Sequence, residues 1–538
     1  MPLPLPLPLL AVLVALFSIR EALASGGHAS APGPASADTA TAVVLDYGTV
    51  VGRSTADRSV KLWLGIPYAS PPVGPLRFKP PTSPQDLGPN FQATSYGNWC
   101  PQDPNVALVN QATGTQSEDC LTLNIFAPAS ANSSSNLPVM VFIHGGSYTS
   151  GSGALGVYNA SNLVMTTPTP VVIVTFNYRL GALGFLAGQE LLDEGSTNAA
   201  MLDQVAVFNW VKKYIPAFGG NSSSITAFGE SAGAQSIGAH LVAYGGNQTL
   251  FNRAILQSGS TMSGPLPAAN SNSTQSAFNA IATYVNCSTF SGPAKLSCMR
   301  NRIGIFTPVV DGRYMLTKPT VALTQTLFSR IPVIIGINTN EGTIFIPSLV
   351  DSAQALYNAT FALQTFVSAF AANMPAGSSD QVLSLYPLTS YNNSAVAAAA
   401  EIFADLAFTC PMLSLSKTMS AAGAPVYRYR FNQLLQLASS EWARNGVFHS
   451  SELPFVFGNS IVPSEEALSQ TMIGFWTRFA ASGNPNGGNA TWPVYSPGGP
   501  AIVLQSSTLP ALTTESDPNK DAQCAFWNSQ ATQTLVDH

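Results

Sequence analysis

The chain has 538 residues, 46% of them apolar, enough to bury a large core or several. Only 9% are charged, against roughly 25% in typical globular domains. The net charge of −5 gives no electrostatic footing for nucleic acid or an anionic membrane surface.

"MPLPLPLPLLAVLVALFSIREALAS" opens the chain. Its apolar run over Leu9–Phe17, followed by Ala22-Leu23-Ala24, resembles a secretory signal peptide cleaved after Ala24, although no Lys or Arg precedes the run. An uncleaved anchor is the alternative, but the run is short for a membrane span and begins with alternating prolines. Residues 25–40 are rich in Ala, Gly, Ser and Pro and read as a flexible lead-in. No composition shift divides residues 41–538, which read as a single domain.

Two further features agree with secretion. Nine sites fit Asn-x-Ser/Thr: Asn132, Asn159, Asn221, Asn247, Asn272, Asn286, Asn358, Asn392 and Asn489. Glycans there would supply the polarity the surface lacks. The cysteines are even in number (Cys100, Cys120, Cys287, Cys298, Cys410, Cys524) and allow fifteen pairings. No C-x-x-C or H-E-x-x-H suggests a metal site, and no cofactor is expected.

"PVMVFIHGG" (Pro138–Gly146) and "PVVIVTFNYR" (Pro170–Arg179) read as buried parallel strands. Met201, Val205, Phe208, Val211 and Ile215 then recur at helical spacing, stopped by Gly219-Gly220. "SITAFG" is a strand that runs into Gly-Glu-Ser-Ala-Gly (Gly229–Gly233), and "SAGAQSIGAHLVAY" is a helix that leaves it. "RAILQS", "IPVIIGIN" and "PVYRYRFN" are further strands. The alternation predicts an α/β fold on a largely parallel sheet.

In a chain this rich in Gly and Ser, the Gly-x-Ser-x-Gly letters alone carry little. Their place between strand and helix is the setting of a nucleophile elbow, with Ser231 at its tip. A serine hydroxyl needs a base, and the chain has five histidines. His28 is in the lead-in, His538 is terminal, His144 lies upstream, and His240 is nine residues into the helix as a packed core residue. His449 remains, downstream as the hydrolase order requires. The carboxylate that orients it lies among Asp311, Glu341, Asp351, Asp380, Glu401, Asp405 and Glu441. Glu341 is preferred because it follows the strand "IPVIIGIN", with Asp311 as runner-up. Gly145-Gly146, after the strand "VMVFI", can turn backbone N–H groups inward as an oxyanion hole.

"LGIPYASPPVGPLRFKPP", "SEDCLTLNIF", "FIHGGSYTSGSG", "FNYRLGALGFL", "SITAFGESAGAQS", "RAILQSGS", "GINTNEGTIF", "GVFHSSELPFVFG" and "CAFWN" stand in the order of the blocks of the type-B carboxylesterase/lipase family, which includes the cholinesterases. The chain resembles that family from about Tyr47 to Asn528. The resemblance implies an α/β-hydrolase fold with a central, mostly parallel sheet, a Ser231–Glu341–His449 triad, and oxyanion donors on Gly146, Ser147 and Ala232. Ser147 stands where the family often has a third glycine. It also implies disulfides Cys100–Cys120, Cys287–Cys298 and Cys410–Cys524, and a structural ion pair between Arg77 and Glu118.

Asn110 replaces the tryptophan that cholinesterases carry in the first disulfide loop, and Ile344 the aromatic expected three residues after the acid, although Phe345 follows. Cation–π recognition of choline is therefore not expected. Only nineteen residues separate Cys100 from Cys120, with a small apolar cluster at Val106–Val109, too little for a long lipase flap. The expectation is a secreted esterase acting on small to medium hydrophobic, uncharged small-molecule esters, without nucleic acid or a stable membrane anchor. The alternatives are a short-flap lipase or sterol-ester hydrolase and, more remotely, a non-catalytic adhesion relative.

Overall fold

The computed structural model describes residues 41–533 apart from 103–114, 262–266, 301–309, 347, 372–373, 437–444, 460–461, 488–490 and 510–511. The leader and lead-in, His28, His538, Glu441, Asn489, Asn110 and Val106–Val109 lie outside the described residues.

In chain order the strands are β1 (Ala42–Leu45), β2 (Gly48–Val51), β3 (Arg53–Ser54), β4 (Val60–Pro67), β5 (Phe91–Gln92), β6 (Thr122–Pro128), β7 (Leu137–Ile143), β8 (Val172–Phe176), β9 (Gly220–Glu230), β10 (Arg253–Gln257), β11 (Val333–Asn338), β12 (Val426–Phe431), β13 (Ala501–Leu504) and β14 (Thr513–Glu515). β1, β2 and β5 form a small sheet. The others form one large sheet in the order β14-β13-β12-β11-β10-β9-β7-β8-β6-β4-β3. From β8 to β13 every neighbouring pair is parallel. The pairs at both flanks are antiparallel. This is the α/β-hydrolase arrangement, and the apolar runs read from the sequence are its central strands.

β7, β8 and β11 are largely apolar because both faces of the sheet are covered there. Val139, Val141 and Ile143 of β7 enter one core with Ile225 and Ala227 of β9. Met140 and Phe142 enter the opposite core with Phe228. Helix α1 (Ala199–Tyr214) buries Met201, Phe208 and Val211, and a 3₁₀ turn over Ile215–Phe218 ends at Gly219 with φ 93°. That left-handed stop is the one Gly219-Gly220 predicts. β9 begins already at Gly220, earlier than "SITAFG" suggests.

Helix α2 (Ala232–Val242) follows β9. Helix α3 (Ala395–Ala404), a π-helical turn (Asp405–Thr409) and helix α4 (Cys410–Ala421) run end to end. Together they are long and apolar enough to cross a membrane, but 67% of their most apolar window is buried inside the protein, as in a core helix. Helix α5 (Asp521–Gln533) is the last element among the described residues.

The cysteines pair Cys100–Cys120, Cys287–Cys298 and Cys410–Cys524, with Cα separations of 5.1, 5.8 and 5.0 Å. Three disulfides fit an extracellular or secretory-pathway protein. Arg77 Nε donates to Glu118 Oε2 at 2.6 Å, forming the ion pair the resemblance implies. A second pair, Arg179 to Asp203 at 2.8 Å, is fully buried beside α1.

Candidate active site

At the end of β9 the chain turns sharply. Ser231 adopts φ 55° and ψ −121°, outside the regions ordinary L-residues occupy, and α2 starts at the next residue. Such strain costs about 1–3 kcal/mol and persists where the surroundings impose it. Here the Ser231 N–H donates to Gln257 O of β10 at 2.9 Å, and its carbonyl accepts from Gln235 N–H at 2.9 Å. The flanking glycines are required by close approach. A Cβ at Gly229 would lie 2.7 Å from Ile143 O of β7, and one at Gly233 would collide with that same oxygen.

Glu341 follows β11 and His449 lies beyond β12. Their loops are pinned together where Asn340 N–H donates to Val447 O and Val447 N–H donates to Asn340 Oδ1, both at 2.9 Å. Both side chains are buried, and His449 Nδ1–H donates to Glu341 Oε2 at 2.6 Å. The other carboxylate oxygen, Oε1, accepts Asn338 N–H at 2.6 Å, which fixes the carboxylate plane. Phe408 and Phe345 pack against the imidazole, with ring centroids 4.6 and 5.1 Å away.

The other ring nitrogen, Nε2, lies 3.0 Å from Glu230 Oε1. This close contact is an ion pair without hydrogen-bond geometry, and buried Nε2 has no hydrogen-bond partner, Ser231 Oγ included, among the described residues. Glu230 is buried and accepts a hydrogen bond from Ser450 Oγ at 2.5 Å. Burial alone would lower the His449 pKa from 6.5, but the carboxylates of Glu230 and Glu341 outweigh it and hold it up at about 10.

A third carboxylate, Glu452, is fully buried behind the histidine. It accepts from Asn338 Nδ2 at 2.7 Å and from Gln257 Nε2 at 3.0 Å. Burial, reinforced by Glu230 and Glu341, lifts its pKa from 4.5 to about 7. Sequence reasoning did not single out Glu452. The only available signal was its position three residues after His449.

The glycine loop after β7 meets the serine turn directly: a Cβ at Gly145 would lie 2.7 Å from Glu230 Oε2 and 3.0 Å from Ser231 Cβ. Gly146, Ser147 and Tyr148 have φ of 107°, 54° and 60°. Ser147 thus adopts in a serine the left-handed backbone that glycine accepts freely. The Ala232 N–H, at the first turn of α2, has no intrahelical acceptor.

The competing candidates go elsewhere. Asp311 is remote from His449: its Oδ1 accepts the N–H groups of Arg313, Tyr314 and Met315 at 2.9–3.0 Å, and Oδ2 accepts from Thr197 and Asn198. Asp405 bonds Tyr386 and Lys520, Glu401 pairs with Lys520, and Asp380 is exposed. His144 is buried, its Nδ1 2.8 Å from Gly145 O, with a pKa lowered to about 4 by burial. His240 is the packed core residue expected, within a hydrogen-bonded network.

The family model for the carboxylesterase family matches residues 39–527. The para-nitrobenzyl esterase of Bacillus subtilis (strain 168) is 33% identical over 513 residues, covering 91% of this chain and 99% of that protein. Mouse (Mus musculus) carboxylesterase 1E is 33% identical over 562 residues, covering 95% and 96%. The crystal structure of Aspergillus niger EstA superposes with a TM-score of 0.80 at 29% identity, over 92% of this chain and 99% of that one. Matched along almost its whole length by that family model and by esterases a third identical to it, the chain belongs to the carboxylesterase family and is a carboxylic ester hydrolase.

Proposed function

We propose that the enzyme is a secreted serine esterase that works through an acyl-enzyme on Ser231. His449 takes the Oγ proton on Nε2 as Oγ attacks the ester carbonyl, and the oxyanion rests on the N–H groups of Gly146, Ser147 and Ala232. His449 then protonates the leaving alcohol, and water repeats the cycle. Glu341 fixes the imidazole tautomer and stabilises its protonated form. The observation that carries this reading is the buried 2.6 Å Glu341–His449 bond, with the imidazole also touching the carboxylate of the residue before Ser231. In the resting arrangement Nε2 faces Glu230, so the ring turns toward Ser231 Oγ when substrate enters. Catalytic hydrogen bonds commonly tighten only in the substrate complex.

Preference for uncharged, small to medium hydrophobic esters follows from the missing choline-site tryptophan and the short first disulfide loop, and agrees with the name of the para-nitrobenzyl esterase relative. Secretion is supported by the leader and the disulfides. Of the eight described sequons none is buried, and Asn132, Asn159, Asn247, Asn272, Asn286, Asn358 and Asn392 are exposed, as glycan acceptors must be.

The test is hydrolysis of a p-nitrophenyl ester series by wild type and Ser231→Ala. Loss of activity by a factor of about 10⁴ or more is expected, with the acyl-length profile peaking at short to medium chains. Equal rates in the two proteins would overturn the reading.

A further inference from the structure

His240 plays no part in the proposed chemistry, yet it is fully buried within a continuous polar chain. Tyr314 O–H donates to His240 Nδ1 at 2.7 Å, and His240 Nε2–H donates to Gln204 Oε1 at 2.9 Å. Gln204 Nε2 donates to Ser236 Oγ at 3.1 Å, and Ser236 O–H donates to Tyr148 OH at 3.3 Å. Each donor and acceptor is used in one direction, which requires the Nε2–H tautomer of a neutral imidazole. Burial supplies that neutrality, lowering the His240 pKa to about 3. All five side chains are buried, where a missing partner is costly.

The chain ends on the glycine loop. Ser147 and Tyr148 are consecutive non-glycine residues at positive φ, so the loop must be held from outside. One hold is backbone: Gly181 N–H donates to Tyr148 O at 2.7 Å. The side chain supplies the other, its ring 4.9 Å from Phe185 and its hydroxyl at the end of the polar chain. Ser236 and His240 stand four residues apart on one face of α2, the helix whose first N–H belongs to Ala232. Gln204 of α1 grips both. One buried network therefore ties the loop that carries Gly146 and Ser147 to the helix that carries Ala232.

We propose that the Tyr314–His240–Gln204–Ser236–Tyr148 chain is a positioning device that sets the oxyanion loop against α2, with His240 as the member whose tautomer orients the rest. The proposal rests on the reading of Gly146, Ser147 and Ala232 as oxyanion donors.

Tyr148→Phe removes only the terminal hydroxyl and keeps the ring on Phe185, and Ser236→Ala cuts the chain one link earlier. Each should lower kcat about ten- to a hundredfold, since small misplacements of catalytic groups cost on that order, with KM within about twofold. Affinity for a trifluoromethyl ketone, which forms a tetrahedral adduct, should fall by the same factor as kcat/KM, while inhibition by the product alcohol stays unchanged. The double variant should be no worse than the worse single, because both break one connection. His240→Asn should match them, and if it does not fold, the two hydroxyl variants still decide. Wild-type kcat and ketone affinity in Tyr148→Phe and Ser236→Ala, or losses that multiply in the double variant, would overturn the proposal. Failure of the underlying reading shows separately, as activity retained by Ser231→Ala.

Discussion

In the proposed mechanism the two carboxylates beside His449 have opposite consequences. Glu341 bonds Nδ1 and presents Nε2 outward, whereas Glu230 faces Nε2 at 3.0 Å and competes with Ser231 for it. Both raise the imidazole pKa, to about 10 against burial, but only the Nδ1 partner is useful to a base. Glu230→Gln removes one charge and leaves Glu341 alone against burial. The acid limb of the kcat/KM–pH profile should then move to lower pH by about one to three units, the usual effect of one close opposite charge. Profiles on a neutral ester from pH 5 to 10 read this directly, and coincident limbs in wild type and variant would refute it. The linkage sign is that of a raised cationic group: the ion pairing adds stability below pH 6.5, and this is lost as pH rises through about 10. Five histidines made His449 reachable by elimination, and position after a strand singled out Glu341. The inward turn of Glu452 and the contact of Glu230 with Nε2 were not legible, because they depend on how three distant loops pack.

The strand–turn–helix unit of β9, Ser231 and α2 depends on two glycines for a packing reason. Gly→Ala inside a helix ordinarily gains about 0.5–1 kcal/mol. At Gly233 the new methyl would enter the Ile143 carbonyl of β7, a backbone atom that cannot swing aside. The clash outweighs propensity, so Gly233→Ala should lose about 3 kcal/mol or more. Gly238→Ala would also strike backbone, at Thr261, whereas Gly156, exposed at the start of a 3₁₀ turn, has nothing near its Cβ position and an ordinary φ. Chemical denaturation of Gly233→Ala and Gly156→Ala compares a blocked site with an open one, and equal midpoints would remove the close-approach argument. At this scale the central sheet was readable, since β7, β8, β10 and β11 are largely apolar runs with punctuated ends and β12 is a β-branched and aromatic run after Pro425. The polar start of β9 at Gly220-Asn221 was not, because there the pairing with Leu137 of β7 decides what composition leaves open. The π-helical turn at Asp405–Thr409 was equally hidden: Asp405 is held by Tyr386 and Lys520, residues far from it in sequence.

Across the whole molecule the disulfides differ in what they constrain. Cys410–Cys524 spans 114 residues and fastens α5 to α4, whereas Cys287–Cys298 spans 11 within a surface excursion. In the chain-entropy model the long loop contributes roughly 5 kcal/mol and a short one roughly 3. A chain of 538 residues has an unfolding entropy of about 1 kcal/mol/K at about 2.1 cal/mol/K per residue. Even the larger contribution therefore shifts Tm by only about 5 °C, and the smaller by about 3 °C. The Cys410→Ser/Cys524→Ser protein should melt below the Cys287→Ser/Cys298→Ser protein by about 2 °C. Amide exchange should also rise selectively in α5, although Lys520, just before the helix, keeps its contacts to Glu401 and Asp405 after the bond is gone. Calorimetry on the two double variants, paired with exchange mass spectrometry, measures both effects. A reversed order of melting would show that native-state contacts, and not freedom restored to the unfolded chain, govern what these bonds contribute.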